Sequence, residues 1–267
     1  MAVTLDRDID FRRPHLGLMP LETPRALSEF TWLLTSAPFL KFTPKGDGHP
    51  VVVCPGFMAS DKSTKFLRAF LKSRNYQTFG WELGRNFGPK TVGHQGELLV
   101  DRIRSIHEET GQKVSLVGWS LGGVLARETA KKMPDEVRQV ITLGSPFGGA
   151  PKTSNIAGLY KALTGHDFGA DEDYRELEAN LHRAPEHVPS TSIFSKTDAI
   201  VSWKACLEPK SEITQNIEVY ASHCGLGMNP LVFSLLADRL VLNKDNWQKF
   251  NVSKNFLLRS LMPRQKH

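Results

Sequence analysis

A mostly parallel α/β sheet with helices on both faces is the fold class this sequence predicts, and three observations predict it. From about residue 50, short β-branched apolar runs alternate with longer stretches of helical periodicity. The first of these runs, at residues 50–54, is apolar throughout rather than at every second residue, as in a strand covered on both faces. No internal repeat or Ser/Gly linker interrupts the alternation, and strand–helix alternation enforces parallel pairing through right-handed crossovers. Residues 1–267 therefore read as a single domain.

The first core strand is the run Pro50-Val51-Val52-Val53-Cys54. A helix follows, with Ser60 or Asp61 as cap and Phe66, Leu67, Phe70 and Leu71 on one face. Residues 77–81 form the next strand. Leu98, Leu99, Ile103 and Ile106 mark a second helix, which Gly111 ends. Residues 113–117 (strand) and Leu121–Lys132 (helix, stopped by Pro134) come next. Three strands follow, at Val137–Leu143, 192–195 and 217–220. Asn229-Pro230 then opens a closing helix through Leu242, with Asn as cap and Pro in its first turn.

Two regions stand outside the alternation. Residues 1–48 form an N-terminal extension in which Leu27, Phe30, Leu33, Leu34 and Ala37 share one helical face. That face either packs on the core or lies on a lipid surface. Residues 150–190 form an insertion longer than a crossover helix needs, with helical patterns at 156–163 and 172–181. Connections of that length commonly serve as caps, and a lid is the expectation.

With 40% hydrophobic and 23% charged residues, the 267-residue chain has ordinary globular usage, which excludes disorder, collagen and coiled coil. The net charge of +6 is interleaved along the chain. It marks a solvated surface with at most weak attraction to anionic membranes, and no nucleic-acid motif accompanies it. The charged start of the chain lacks the order of a secretory signal, and no apolar stretch has the length of a membrane span. A cytoplasmic or membrane-peripheral location is expected. Cys54, Cys206 and Cys224 form neither a CxxC pair nor a zinc pattern.

Gly118-Trp119-Ser120-Leu121-Gly122 is a G-x-S-x-G sequence placed between a strand and a helix. That setting gives the motif its force, because a tight strand-to-helix turn strains the serine backbone and lifts its hydroxyl clear of the sheet. Side chains at Gly118 and Gly122 would strike neighbouring backbone. The helix N-terminus adds positive potential near a developing oxyanion.

On these residues the chain resembles the α/β-hydrolase superfamily in its esterase and lipase branch, over roughly residues 50–242. The stretch 118–123 is similar to the family's nucleophile elbow. Pro55-Gly56-Phe57 resembles its oxyanion turn, and Thr142-Leu143-Gly144-Ser145-Pro146-Phe147-Gly148-Gly149 resembles the TxGTPHxG stretch of bacterial lipases. The resemblance implies an α/β-hydrolase fold with a small cap and a triad in the chain order Ser, acid, His.

After Ser120, only His223 follows a strand and precedes the final helix, where the family places its base. His166, His182 and His187 fall in the insertion, and His267 is terminal. Asp198 follows the strand at 192–195 directly and is the acid candidate; Asp171 and Asp173 sit in the insertion, and Glu208 is held in reserve. The oxyanion hole is expected from the backbone N–H groups of Phe57 and Leu121. Pro55 and Trp119 stand where many relatives carry histidine, which leaves the family's substrate preferences untransferred.

Met58, Trp119 and Phe147 are candidate substrate-binding residues, and Trp81 either walls the acyl pocket or packs as an ordinary loop tryptophan. Cys206 and Cys224 flank the acid-to-base stretch, either as free thiols or joined so as to hold His223. The expected activity is ester hydrolysis through an acyl-enzyme, without metal or organic cofactor, on a small-molecule or lipid ester. An acyltransferase using the same site and a non-catalytic binding protein are the alternatives. The sequence leaves oligomeric state open.

Overall fold

The computed structural model describes residues 12–148, 154–155, 157–158, 162, 180–243, 245–251 and 260–265. Six strands form one sheet: β1 (Pro50–Cys54), β2 (Gln77–Gly80), β3 (Val114–Trp119), β4 (Val137–Leu143), β5 (Ser190–Phe194) and β6 (Thr214–Glu218). Their order is β2-β1-β3-β4-β5-β6 and every pairing is parallel. The six described helices are α1 (Glu22–Leu40), α2 (Lys65–Ser73), α3 (Pro89–Val92), α4 (Glu97–Thr110), α5 (Leu121–Lys132) and α6 (Pro230–Leu240).

The period of two along a strand sends alternate residues to opposite faces, and the two hydrophobic clusters follow that division. Val51 and Val53 of β1 pack with Leu67 and Leu71 of α2, Leu33 of α1 and Leu236 of α6. Val52 and Cys54 pack on the other side with Leu99, Ile103 and Ile106 of α4 and Ala126 and Ala130 of α5. Helices thus cover both faces, and β1 is buried at all five positions.

Strand order reverses between β1 and β3, since β1 leads outward to β2 while β3 leads the other way to β4. Open parallel sheets bind ligands at the carboxyl ends of strands beside such a switch point. Here the residues just past those two ends are Pro55-Gly56-Phe57 and Ser120.

Several local expectations shift. The cap of α2 is neither Ser60 nor Asp61: the helix starts at Lys65 after Thr64. The Asp61 carboxylate instead accepts the N–H groups of Trp81 and Glu82, both at 3.1 Å, tying the end of β2 to the approach to α2. Strands β5 and β6 begin two or three residues earlier than their apolar cores suggest, because polar Ser190, Thr191, Thr214 and Gln215 also join the ladder. Asn229 does cap α6, its side chain accepting the Leu231 N–H at 2.9 Å, with Pro230 in the first turn. Helix α6 ends at Leu240, two residues short of the expected limit.

The largest difference concerns α1. It packs on α6 and the sheet, but through Glu22, Ala26, Glu29, Leu33 and Leu40. Of the face expected from the sequence, Leu33 is buried and Phe30 is packed against the core. Leu27 and Leu34 are 65% and 56% exposed. No described helix is long and apolar enough to cross a membrane. Most of the insertion at 150–190, and with it the expected cap, lies outside the described residues.

Candidate active site

Ser120 sits between the last residue of β3 and the first of α5, at φ 54° and ψ −125°. Positive φ is unfavourable for a residue with a Cβ, so surrounding packing must hold it. Ser120 N–H donates to Leu143 O at 2.8 Å. A Cβ at Gly118 would stand 2.2 Å from Gly123 Cα, and one at Gly122 would stand 2.3 Å from Pro55 O. Both glycines are therefore required by the close approach of backbone to backbone, as the motif implies.

The three residues singled out in the sequence meet. His223 Nε2 lies 2.9 Å from Ser120 Oγ, and His223 Nδ1 lies 2.6 Å from Asp198 Oδ2. All three are buried, with Ser120 at 8%, Asp198 at 3% and His223 at 6% exposure. Asp198 Oδ1 accepts the N–H groups of Ile200 at 2.8 Å and Val201 at 2.9 Å, which fixes the carboxylate and leaves Oδ2 for the imidazole. Gly144, at φ 53°, backs the pair: a Cβ there would lie 3.3 Å from both Asp198 Oδ2 and His223 Nδ1. Burial alone would push the His223 pKa down, but the charge and hydrogen bond of Asp198, and then the charge of Glu22, outweigh it, so the imidazole is raised above its usual value.

The loop after β1 is held in place from the side. Asn86 Nδ2 donates to Pro55 O at 2.7 Å, Met58 N–H donates to Asn86 O at 2.7 Å, and the rings of Phe57 and Phe87 meet edge to face at 6.2 Å. Met58 is exposed, at φ 60°. Leu121, the first residue of α5, has no carbonyl four residues back within the helix, so its N–H is one of the unpaired donors of a helix start.

Other candidates have packing roles. Phe147 is 1% exposed beneath the guanidinium of Arg127, 4.1 Å from its ring centre. Trp119 donates its indole N–H to His223 O at 3.1 Å, bracing the histidine loop. Trp81 is wholly buried, with its indole N–H on Gly84 O, so it is a packed loop tryptophan and not an open pocket wall. Glu208 pairs with Arg127 through both carboxylate oxygens at 2.8 Å, away from the triad. Cys206 and Cys224 are free thiols, so no disulfide fixes His223.

Contacts to the same loops come from two residues that no sequence motif marks. Glu22 and Glu29 of α1 accept backbone N–H groups from the loops carrying Asp198 and His223. One signal was available: both stand at heptad-like spacing with Ala26, Leu33 and Leu40, where a carboxylate needs buried partners.

Residues 45–178, half of the chain, match the model of the PGAP1-like alpha/beta domain. A 144-residue segment is 27% identical to a GPI inositol-deacylase of Debaryomyces hansenii, covering 48% of this chain and 14% of that protein. A 79-residue segment is 30% identical to a pimeloyl-[acyl-carrier protein] methyl ester esterase of Aliivibrio fischeri, covering 26% of this chain and 31% of the relative. The matches thus span less than a third of the length of these curated relatives. Among solved structures, Aspergillus fumigatus lipase B superposes with a TM-score of 0.58 at 18% identity, over 81% of this chain and 57% of that one. The mature lipase BlEst2 of Bacillus licheniformis gives 0.55 at 16% identity, over 75% and 95%. The parallel sheet, the serine turn and these likenesses agree, and the chain belongs to the PGAP1-like alpha/beta domain family, built on the α/β-hydrolase fold of lipases and esterases.

Proposed function

We propose that this protein is a serine hydrolase that cleaves carboxylic esters through an acyl-enzyme on Ser120. The observation that carries the reading is His223 bridging Ser120 Oγ and Asp198 Oδ2, at a serine whose backbone is held at φ 54°. Two relatives named as a deacylase and a methyl ester esterase support an acyl-transfer chemistry.

In this reading Ser120 Oγ attacks the ester carbonyl while His223 Nε2 takes its proton. Asp198 holds the imidazole in the tautomer with Nδ1–H toward the carboxylate and stabilises the imidazolium that forms. The N–H groups of Leu121 and Phe57 receive the oxyanion, and two such donors are each worth on the order of 10² to 10³ in rate. His223 returns the proton to the leaving alcohol. It then draws a proton from water, which attacks the acyl-enzyme carbonyl, and passes that proton to Ser120 Oγ as the acyl–oxygen bond breaks, releasing the acid and free Ser120.

Aryl esters of graded acyl length, assayed on wild type and Ser120→Ala, test the proposal. Hydrolysis and fluorophosphonate labelling at Ser120, both lost in the alanine variant, are expected. Undiminished turnover in Ser120→Ala would overturn it.

A further inference from the structure

We propose that Glu22 and Glu29 of α1 are positioning residues for the catalytic pair: Glu22 joins the Asp198 loop to the His223 loop through three backbone N–H groups, and Glu29 fixes the far side of the His223 loop. The proposal rests on the serine-hydrolase reading of Ser120, Asp198 and His223.

The geometry is specific. Glu22 Oε1 accepts the N–H of Ala199 at 3.0 Å and of His223 itself at 3.2 Å, while Oε2 accepts the N–H of Cys224 at 3.1 Å. One carboxylate thus grips both the residue after the acid and the base. Two turns further along α1, Glu29 Oε1 accepts Ser222 N–H at 2.7 Å, and Oε2 accepts Asn229 Nδ2 at 3.3 Å. A Cβ at Gly225 would stand 2.0 Å from Glu29 Oε2, so the loop has glycine where the carboxylate enters. Between the two glutamates, Arg25 donates to Thr197 O at 2.7 Å and Thr197 Oγ1 at 2.8 Å. Successive turns of one helix hold residues 197–199 and 222–224 together.

Carboxylates suit this task. Backbone N–H groups turned inward from two loops need acceptors, and an ionised carboxylate offers several lone pairs and stronger hydrogen bonds than a neutral side chain. Glu22 and Glu29 are 5% and 9% exposed, and burial raises the Glu29 pKa despite its hydrogen bonds.

Glu22 also acts on the imidazole through its charge. The groups facing His223 are Asp198 from the loop after β5, Ser120 from the serine turn, and Glu22 from α1, with Glu29 and Arg25 farther along that helix. Burial and then neighbouring carboxylates raise the thiols of Cys206 and Cys224, the latter to about 11, so neither carries charge near neutral pH. Among these, Glu22 is the second anion that favours the imidazolium.

The test uses the full chain and p-nitrophenyl esters. Glu22→Gln keeps the shape and removes the charge; Glu22→Asp keeps the charge and shortens the reach. Glu22→Gln is expected to lower kcat about ten- to a hundredfold with KM within about twofold, as for a misplaced catalytic group. Losing an anion lowers the His223 pKa, so the acid limb of kcat/KM moves to lower pH. Glu22→Asp is expected to lower kcat while leaving that limb in place.

NMR titration of the His223 imidazole reads the same shift without any substrate. Absence of Ser120-dependent turnover in wild type would remove the serine-hydrolase reading, whereas an unshifted His223 titration in folded Glu22→Gln would overturn the positioning proposal. A folded Glu22→Gln with wild-type kcat and an unmoved acid limb would overturn it equally. If Glu22→Gln does not fold, Glu22→Asp decides, with wild-type kcat counting against the proposal and a lowered kcat for it.

Discussion

Among the described residues, two Ser–His–Asp trios stand one at each end of β3, and they differ in almost everything except residue type. At the carboxyl end, His223 bridges Ser120 and Asp198 at 2.9 and 2.6 Å. At the amino end, His49 bridges Ser115 Oγ at 2.8 Å and Asp47 Oδ1 at 2.5 Å. Ser115 is an ordinary strand residue, wholly buried and paired in register with Val51 and Gln139. Ser120 stands at positive φ at the start of a helix.

The acids differ as well. Asp198 is buried and held by two backbone N–H groups, while Asp47 is half-exposed and shared with the guanidinium of Arg138 at 2.7 Å. The consequence appears in the histidines. Burial dominates at His49 and lowers its pKa, whereas Asp198 and Glu22 overcome burial at His223 and raise it. The same three side-chain types at hydrogen-bonding distances thus occur in two different settings. A strained backbone, a helix-start amide at Leu121 and buried carboxylates behind the loops separate the candidate site from a satisfied core histidine.

The sharpest way to break this comparison is to delete each serine. Ser120→Ala is expected to reduce kcat by about 10⁴-fold or more on aryl esters. Ser115→Ala is expected to leave kcat within about twofold. Equal losses would mean that the amino-end trio contributes to turnover. The acids follow with the next effect: Asp198→Asn should cost about 10³- to 10⁴-fold in kcat, because the amide favours the wrong imidazole tautomer. Asp47→Asn should spare kcat and cost about 1 kcal/mol of stability in urea unfolding, as expected for a partly exposed ion pair.

Backbone strain sharpens the comparison next. Gly122→Ala places a methyl 2.3 Å from Pro55 O, which the rigid end of β1 cannot relieve. A loss of about 1–3 kcal/mol in stability is expected, together with a drop in kcat as Ser120 and the loop of Phe57 separate. A variant with wild-type stability and turnover would show that the serine turn is looser than the contacts imply.

These contrasts also explain what the sequence made legible. The serine turn was readable because its constraint is local: two glycines and a serine within five residues specify strand, turn and helix start. His223 and Asp198 were marked by the family's chain order together with their places in the loops after the last two strands, at the end of the sheet where sites form. Strand boundaries at β5 and β6 slipped, since polar residues paired in a buried ladder leave no apolar mark.

The spacing of Glu22 and Glu29 along α1 was legible, but their partners were not. Glu22 and Glu29 bond to backbone N–H groups about two hundred positions away, and backbone donors carry no residue signature. Leu27 and Leu34 drew attention to the face of α1 that stays exposed, while the buried face carries two carboxylates. Asp61 failed in the same way, as a cap by spacing that serves instead as acceptor for a neighbouring strand end.

The smallest expected effect is also the one that tests the two histidines against each other. His49 has a folded pKa below its ordinary value of 6.5, so the unfolded chain takes up a proton that the folded one refuses, and stability falls as pH drops below about 6.5. His223 has a folded pKa above 6.5, so its contribution is present below that pH and is lost as pH rises through the raised value. A single group can give a slope of at most about 1.4 kcal/mol per pH unit.

Urea midpoints measured from pH 8 to pH 5 should separate these terms. His49→Gln is expected to flatten the fall on the acid side, and His223→Gln to flatten the decline toward alkaline pH while leaving the acid side as in wild type. Asp47 does not confuse the reading: against the cost of burial, the hydrogen bonds of His49 and then Arg138 hold its carboxyl well below the usual range, and its contribution is lost only at pH values below about 4. An acid-side slope unchanged by His49→Gln would mean that His49 protonates within the fold. The amino-end trio would then resemble the carboxyl-end one more closely than its burial implies.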